Sequence, residues 1–309
     1  MRSPTRSPSG LLALPPMGDR TTAALAVDKP PGPTSHDIVS RLRRSMGTRR
    51  VGHTGTLDPF ASGLLILLTG PATRLSEYLT GLPKTYVAEA RLGIRTDTDD
   101  REGRVVAESE AWKDLGREPF EQLMEGFLGP IDQVPPPFSA KKVDGERAHR
   151  RARRGEEVIL PPTRVEIMSL EMLEWDLPSI RFRVSCSSGT YIRALARDFG
   201  ERAGVGAHLT SLRRVAVGRF QVDTAFPADS LISGSTPGYG WIDPVEVVSH
   251  LARFDVDSAQ VEALRQGRPI AAPDRGLCAG TMAALVHESE LVAIGEWREG
   301  NLHPRKVLG

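Results

Sequence analysis

From Lys84 onward the side chains alternate. Tyr86, Ala88, Ala90 and Leu92 fall between Val87, Glu89 and Arg91, the two-residue period of a strand with one buried face. Ile180, Phe182, Val184 and Cys186 repeat that pattern. Leu64 to Leu68 is an unbroken apolar run instead. Its length suits a strand covered on both faces and falls far short of a membrane span.

Helical spacing appears between these strands. Ile38, Val39, Leu42 and Met46 share one helix face; Thr34 and Asp37 stand at capping-box spacing before them, and Gly47 is placed to stop the helix. Further helices are expected from about Ala72 to Leu79, around Phe120, Leu123, Phe127 and Leu128, and after Gly189 through Ile192, Leu195 and Phe199. The stretch Val51 to Pro59 carries two glycines, three hydroxyl or imidazole side chains and a proline, so it reads as a loop. Helices and strands are mixed without the regular alternation and Gly-rich first turn of a doubly wound nucleotide-binding sheet. The expected fold class is mixed α+β.

At 309 residues the chain has room for one large domain and a small one. Residues 1–24 read as a disordered leader, because Arg2 and Arg6 precede only a short apolar stretch that Pro15 and Pro16 end. Residues 25–248 form the main domain, and residues 249–309, after the Gly/Ser/Pro-rich Ser233 to Gly240, a small β-rich module with Val286, Leu291, Val292 and Ile294.

Composition narrows the function by exclusion. Two cysteines cannot build a disulfide framework or a zinc cluster, which fits a reducing cytoplasm. There is no P-loop, dinucleotide fingerprint or metal-ligand spacing. Net charge is only +1, but its distribution is uneven. Five arginines fall between Arg41 and Arg50, and seven basic side chains between Lys141 and Arg154. Such runs can neutralise phosphates, and each also fits a solvated helix face. The acidic group Asp97, Asp99, Asp100 and Glu102, with Gly103 after it, reads as a hairpin turn and not as a cation site.

Asp58 is the candidate for chemistry. Pro59 biases it toward extended backbone within the Gly-containing loop, a position suited to presenting a carboxylate into a cleft. The whole stretch from Gly52 through His53, Thr54, Gly55, Thr56, Leu57, Asp58, Pro59, Phe60, Ala61 and Ser62 to Gly63 resembles the catalytic motif of the TruB family of tRNA pseudouridine synthases. Asp28-Lys29-Pro30, Lys84-Thr85-Tyr86, Arg91-Leu92-Gly93, Gly189-Thr190-Tyr191-Ile192-Arg193 and Leu212-Arg213-Arg214 follow in the family's order. The resemblance covers about Asp28 to Phe220 and, more weakly, the C-terminal module. It departs at Ser188, Phe60, His149 and Arg151.

The resemblance implies a mixed, largely antiparallel sheet with a C-terminal PUA-like RNA-binding module. It implies conversion of the T-loop uridine of tRNA, position 55, to pseudouridine, without cofactor or metal. Asp58 corresponds to the catalytic carboxylate, as nucleophile or as base at the ribose. Arg193 corresponds to its paired cation and Tyr86 to the residue stacking on the base. Tyr191 and Leu212 correspond to pocket walls and His53 to an RNA contact. Arg150, Arg151, Arg153 and Arg154 are expected at the RNA backbone. The expected partner is the tRNA T arm, with no membrane, guide RNA or protein partner and a monomeric chain. A non-catalytic RNA binder of the same fold, the guide-RNA-dependent relative and a metal-dependent hydrolase are the alternatives.

Overall fold

The computed structural model describes residues 22–136, 138, 142–143, 146–147, 151, 154, 156, 160–273 and 276–308. Most of the expected leader lies outside them. Strand β1 (Ala24–Lys29) opens at Ala24, with Ala23 and Ala24 already buried, inside the stretch expected to be leader.

Helix α1 (Ser35–Met46) forms where its caps require. Thr34 and Asp37 close the capping box, Gly47 ends the helix at φ 64°, and Ile38, Val39 and Leu42 are buried. Val51–His53, expected as loop, is strand β2, paired with Leu67–Thr69 of strand β3 (Ser62–Thr69). The reason is hydrogen-bond satisfaction. On that side β3 has another partner only at Ser62 and Gly63, so its far end needs one. The helix expected from Ala72 is a 3₁₀ turn (Gly70–Leu75) followed by helix α2 (Ser76–Thr80). Pro71 stands at its start, and Thr73 Oγ donates back to Gly70 O at 2.7 Å.

Strand β4 (Lys84–Leu92) buries Tyr86, Ala88, Ala90 and Leu92 as its alternation requires. A hairpin of β5 (Ile94–Thr96) and β6 (Val105–Glu108) carries the acidic turn. Helix α3 (Arg117–Glu125) ends before Phe127 and Leu128, of which the first is buried and the second exposed. Strand β7 (Gly129–Gln133), the short pair β8 (Lys142–Val143) and β9 (Glu146–Arg147), and the long β10 (Thr163–Asp176) and β11 (Ser179–Cys186) follow. Helix α4 (Ile192–Arg202) leads into β12 (Ala207–Val217), then β13 (Phe220–Gln221), β14 (Phe226–Pro227) and β15 (Trp241–Ile242).

The main sheet has eleven strands, with the order β14-β1-β3-β12-β4-β11-β10-β7 and β2, β13 and β15 at its margins. Only β1/β14 and β3/β12 are parallel. One face is covered by α1, α3 and α4 over a core that includes Phe182 and Phe199. Phe199 meets Phe127 and Phe182 edge-on at centroid distances of 4.9 and 5.5 Å. The other face is covered by the C-terminal strands: Leu64, Ile66 and Leu68 share a core with Ala284, Val286, Leu291 and Ile294. Leu65 and Leu67 point to the first face, so β3 is buried on both sides.

A helical turn α5 (Pro244–Val247) precedes a five-stranded sheet of order β16 (Ala252–Asp255), β18 (Met282–His287), β19 (Glu290–Arg298), β20 (Asn301–Val307) and β17 (Ile270–Ala271). Helix α6 (Ser258–Arg265), capped by Asp257 and Gln260, packs Val261 and Leu264 into its small core with Trp297. The tail is thus strand-rich with one helix.

Candidate active site

The loop bearing Asp58 is pinned from several sides. Leu57 and Phe60 are buried in the core beneath it. The Leu57 N–H donates to Ser35 Oγ at 2.9 Å, and that hydroxyl donates to Leu57 O at 3.2 Å. Pro59 O accepts from the Gly32 N–H at 2.8 Å and from the Lys29 ammonium at 3.2 Å. With its backbone and neighbours fixed, Asp58 keeps 35% of its side chain exposed.

Arg193 reaches this carboxylate from the first turn of α4. Its Nε lies 2.9 Å from Asp58 Oδ2, within ion-pair distance although its N–H is not aimed along that line. Its Nη2 donates to Asp58 Oδ1 at 3.5 Å. Shorter bonds hold the guanidinium to Thr98 O at 2.8 Å and Phe138 O at 3.0 Å, and Asp100 adds a carboxylate at 3.4 Å. One helical turn later, Arg197 pairs with Asp99 at 3.0 Å and donates to Val134 O at 2.9 Å. The acidic turn is therefore a hairpin tip that supplies carboxylates to two α4 arginines. Asp99 adopts φ 59° there, and burial pushes its carboxyl up to about 6. Among the described residues no cluster of metal-ligating side chains forms.

Tyr86 is buried in β4, directly opposite Arg214 of β12 and Val184 of β11. Desolvation raises its phenol above the usual 10.0. Leu212, also buried, lies opposite Ala88. Tyr86, Leu212, Leu57 and Ile192 belong to one core cluster, so the sheet, the Asp58 loop and the start of α4 converge. Tyr191 precedes α4, half-exposed; its N–H donates to Gln133 Oε1 at 2.8 Å and its C=O accepts from Gln133 Nε2 at 3.0 Å. His53 ends β2 half-buried. Burial first, and then the charge of Arg214, lowers its imidazole below 6.5, so it is neutral at physiological pH.

The basic segment is placed only in part. Arg150 and Arg153 lie outside the described residues, while Arg151 and Arg154 both pair with Glu156, at 2.8 and 2.7 Å. In the first basic run, Arg41 pairs with Asp229 at 2.9 Å and Arg43 donates to Val51 O at 2.8 Å. Arg44, Arg49 and Arg50 are exposed.

Sequence reasoning missed several residues that make this geometry. Asp99 and Asp100 pair the α4 arginines, Gln133 clamps Tyr191, and Ser35 and Lys29 brace the loop. No signal for the acidic pair stood in the helix pattern: Arg193 lies about 100° round the helix from Ile192 and farther from Leu195 and Phe199, so its burial is decided by the hairpin that packs on it. Two cavities, about 290 and 460 Å³, lie away from Asp58, one beside Trp112 and Pro178 and one beside Glu89 and Arg213. Asp58 instead opens to the surface, as a large substrate requires.

Comparison with known proteins shows the family. Residues 43–192 match the description "TruB family pseudouridylate synthase (N terminal domain)", and residues 193–233 match "tRNA pseudouridylate synthase B C-terminal domain". The tRNA pseudouridine synthase B of Azoarcus sp. (strain BH72) is 40% identical over 286 residues, 92% of this chain and 94% of that protein. The chain belongs to the TruB family. Another TruB-family relative, tRNA pseudouridine synthase B of Aquifex aeolicus (strain VF5), is 35% identical over 92% of this chain and 99% of its own length. Among solved structures, a Cbf5-Nop10-Gar1 complex contains a chain similar at TM-score 0.71 and 26% identity, covering 94% of this chain and 85% of that one. The candidate pair spans the two TruB matches: Asp58 lies in the first, and Arg193 is the first residue of the second.

Proposed function

We propose that this TruB-family chain converts the uridine at T-loop position 55 of tRNA to pseudouridine, with Asp58 as the catalytic carboxylate. The carrying observation is the Asp58–Arg193 pair, a part-exposed carboxylate on a braced loop facing a cation that other groups already hold. The reaction breaks the bond between N1 of uracil and C1′ of ribose, turns the base, and joins C5 to C1′; C5 then gives up its proton and N1 ends by holding one. Nothing is gained or lost, so no redox partner or group donor enters the balance. Asp58 serves as nucleophile toward the sugar or base, or as base at the ribose. Both routes need the carboxylate beside the nucleotide and a fixed counter-charge behind it.

The target base must leave its stack, which costs a few kcal/mol. The Tyr86 ring offsets that by stacking on it, worth roughly 1 to 3 kcal/mol. Leu212 and Tyr191 complete the pocket, and His53, as a neutral imidazole, contacts the flipped or neighbouring nucleotides. Arg150, Arg151, Arg153 and Arg154 bind phosphates, with Arg151 and Arg154 exchanging Glu156 for the RNA backbone. The five-stranded C-terminal sheet serves as a PUA-type RNA-binding module. The chain acts alone as a cytoplasmic monomer; in support, bacterial relatives align over nearly their whole length, and no described helix is long and apolar enough to cross a membrane.

The test uses two unmodified tRNA transcripts, one natural and one with cytidine at position 55. Mapping at nucleotide resolution should find pseudouridine at 55 in the first and nowhere in the second. Modification at another site, or none at all, would sink the reading.

A further inference from the structure

Arg214 is among the largest fully buried side chains of the molecule, with 1% of its surface exposed. Its guanidinium donates from Nε to Leu64 O at 2.7 Å and from Nη2 to Gly55 O at 3.1 Å. Among the described residues, no carboxylate stands within ion-pair distance of it. Burying a cation without a carboxylate is costly, and interiors seldom retain one without a use for its charge.

The backbone at Arg214 is fixed as firmly as the side chain. Gly63 of β3 lies beside it in the parallel pair β3/β12. At φ +102°, a Cβ on Gly63 would meet Arg214 O at 2.2 Å, so only glycine lets the strands approach this closely. Directly across β4 stands Tyr86. Paired residues on neighbouring strands project to one face with Cβ atoms about 5 Å apart, which sets the Arg214 and Tyr86 side chains next to each other. Arginine can only donate, so in a hydrogen bond between the two the phenol oxygen is the acceptor.

We propose that Arg214 is a positioning residue for Tyr86: its guanidinium donates to the phenol oxygen and so holds the ring where it stacks on the flipped base, while tying the Gly55 turn of the Asp58 loop to β4. This rests on the function proposed above and adds a residue to it. The guanidinium, held in place by Leu64 O and Gly55 O, sets where the ring stands.

A double-mutant cycle tests the assignment. Single-turnover pseudouridine formation and tRNA affinity are measured for the wild type, Arg214→Lys, Tyr86→Phe and the double variant. Arg214→Lys should lower the rate by roughly ten- to a hundredfold, the range for losing one charge-assisted hydrogen bond. Its tRNA Kd should stay within about threefold of the wild type, well short of the tenfold that about 1.36 kcal/mol would give. In the Tyr86→Phe background the same substitution should cost little more, because the group it acts through is gone. Equal losses in both backgrounds would overturn the proposal and leave Arg214 a structural brace only. Should Arg214→Lys not fold, NMR of the Arg214 guanidinium protons in Tyr86→Phe decides. They should shift relative to the wild type, whereas Tyr239→Phe leaves them unmoved; no shift in Tyr86→Phe contradicts the contact. If the wild type itself makes no pseudouridine, the function fails while the NMR arm still reads the Arg214–Tyr86 contact.

Discussion

Arg193 Nε stands 2.9 Å from Asp58 Oδ2, yet Asp58 is not what holds Arg193 in place. Thr98 O, Phe138 O and Asp100 hold the guanidinium as well. Loss of Asp58 therefore leaves Arg193 with a carboxylate and two carbonyl acceptors, and the carboxylate removed is itself one-third exposed. Asp58→Ala should cost only about 1 kcal/mol of stability, well below the roughly 3–5 kcal/mol of breaking a fully buried pair. Denaturant melts of the two proteins measure it.

Arg193→Lys should not be a mild change. One ammonium cannot reach Asp58, Asp100, Thr98 O and Phe138 O together, whereas the planar fork does. Turnover on unmodified transcript should fall by at least about tenfold, with a smaller change in tRNA affinity. Equal losses in both would make Arg193 a general RNA contact.

For Tyr86 the ring and the hydroxyl separate cleanly. Tyr86→Phe keeps the stacking surface and should retain tRNA affinity while losing rate; Tyr86→Leu should lose both. If leucine is tolerated as well as tyrosine, the base does not sit against this residue.

Asp99 gives a pH signature. Its folded pKa, about 6, lies above the ordinary 3.8, so between those values the folded chain holds a proton that the unfolded chain releases. The stability contribution is present below 3.8 and is lost as pH rises through about 6. Melting temperatures of the wild type should therefore fall relative to those of Asp99→Asn between pH 4.5 and 7, windows chosen around that shift. Parallel curves would show that Asp99 is ionised throughout.

RNA affinity should fall linearly with log salt, by about 0.7 to 0.9 per phosphate neutralised. Replacing Arg150, Arg151, Arg153 and Arg154 by Gln should flatten that slope. An unchanged slope would mean that this basic face is solvated and nothing more.

Much of this site was legible in the chain because local chemistry dictates it. Thr34, Asp37 and Gly47 announce α1, the alternation from Lys84 announces β4, and the motif around Asp58 marks the loop. What was not legible depends on partners distant in sequence. Val51–His53 becomes strand only because β3 needs a second neighbour beyond Gly63. Asp100 meets Arg193 only after a hairpin and a helix have folded, and Arg214 acquires its meaning from a strand register. The capping pair Asp257 and Gln260 was in plain view and could have announced α6.

The most direct measurement is pseudouridine formation by Asp58→Ala, with enzyme in excess over unmodified tRNA and long incubation, on protein first shown to melt cooperatively and to bind tRNA. Phosphate contacts and base stacking rest on other residues, so affinity should be near normal and no pseudouridine should form. Asp58→Asn, nearly isosteric but unable to ionise, should be equally inactive. Conversion of the position-55 uridine by folded Asp58→Ala would contradict the account.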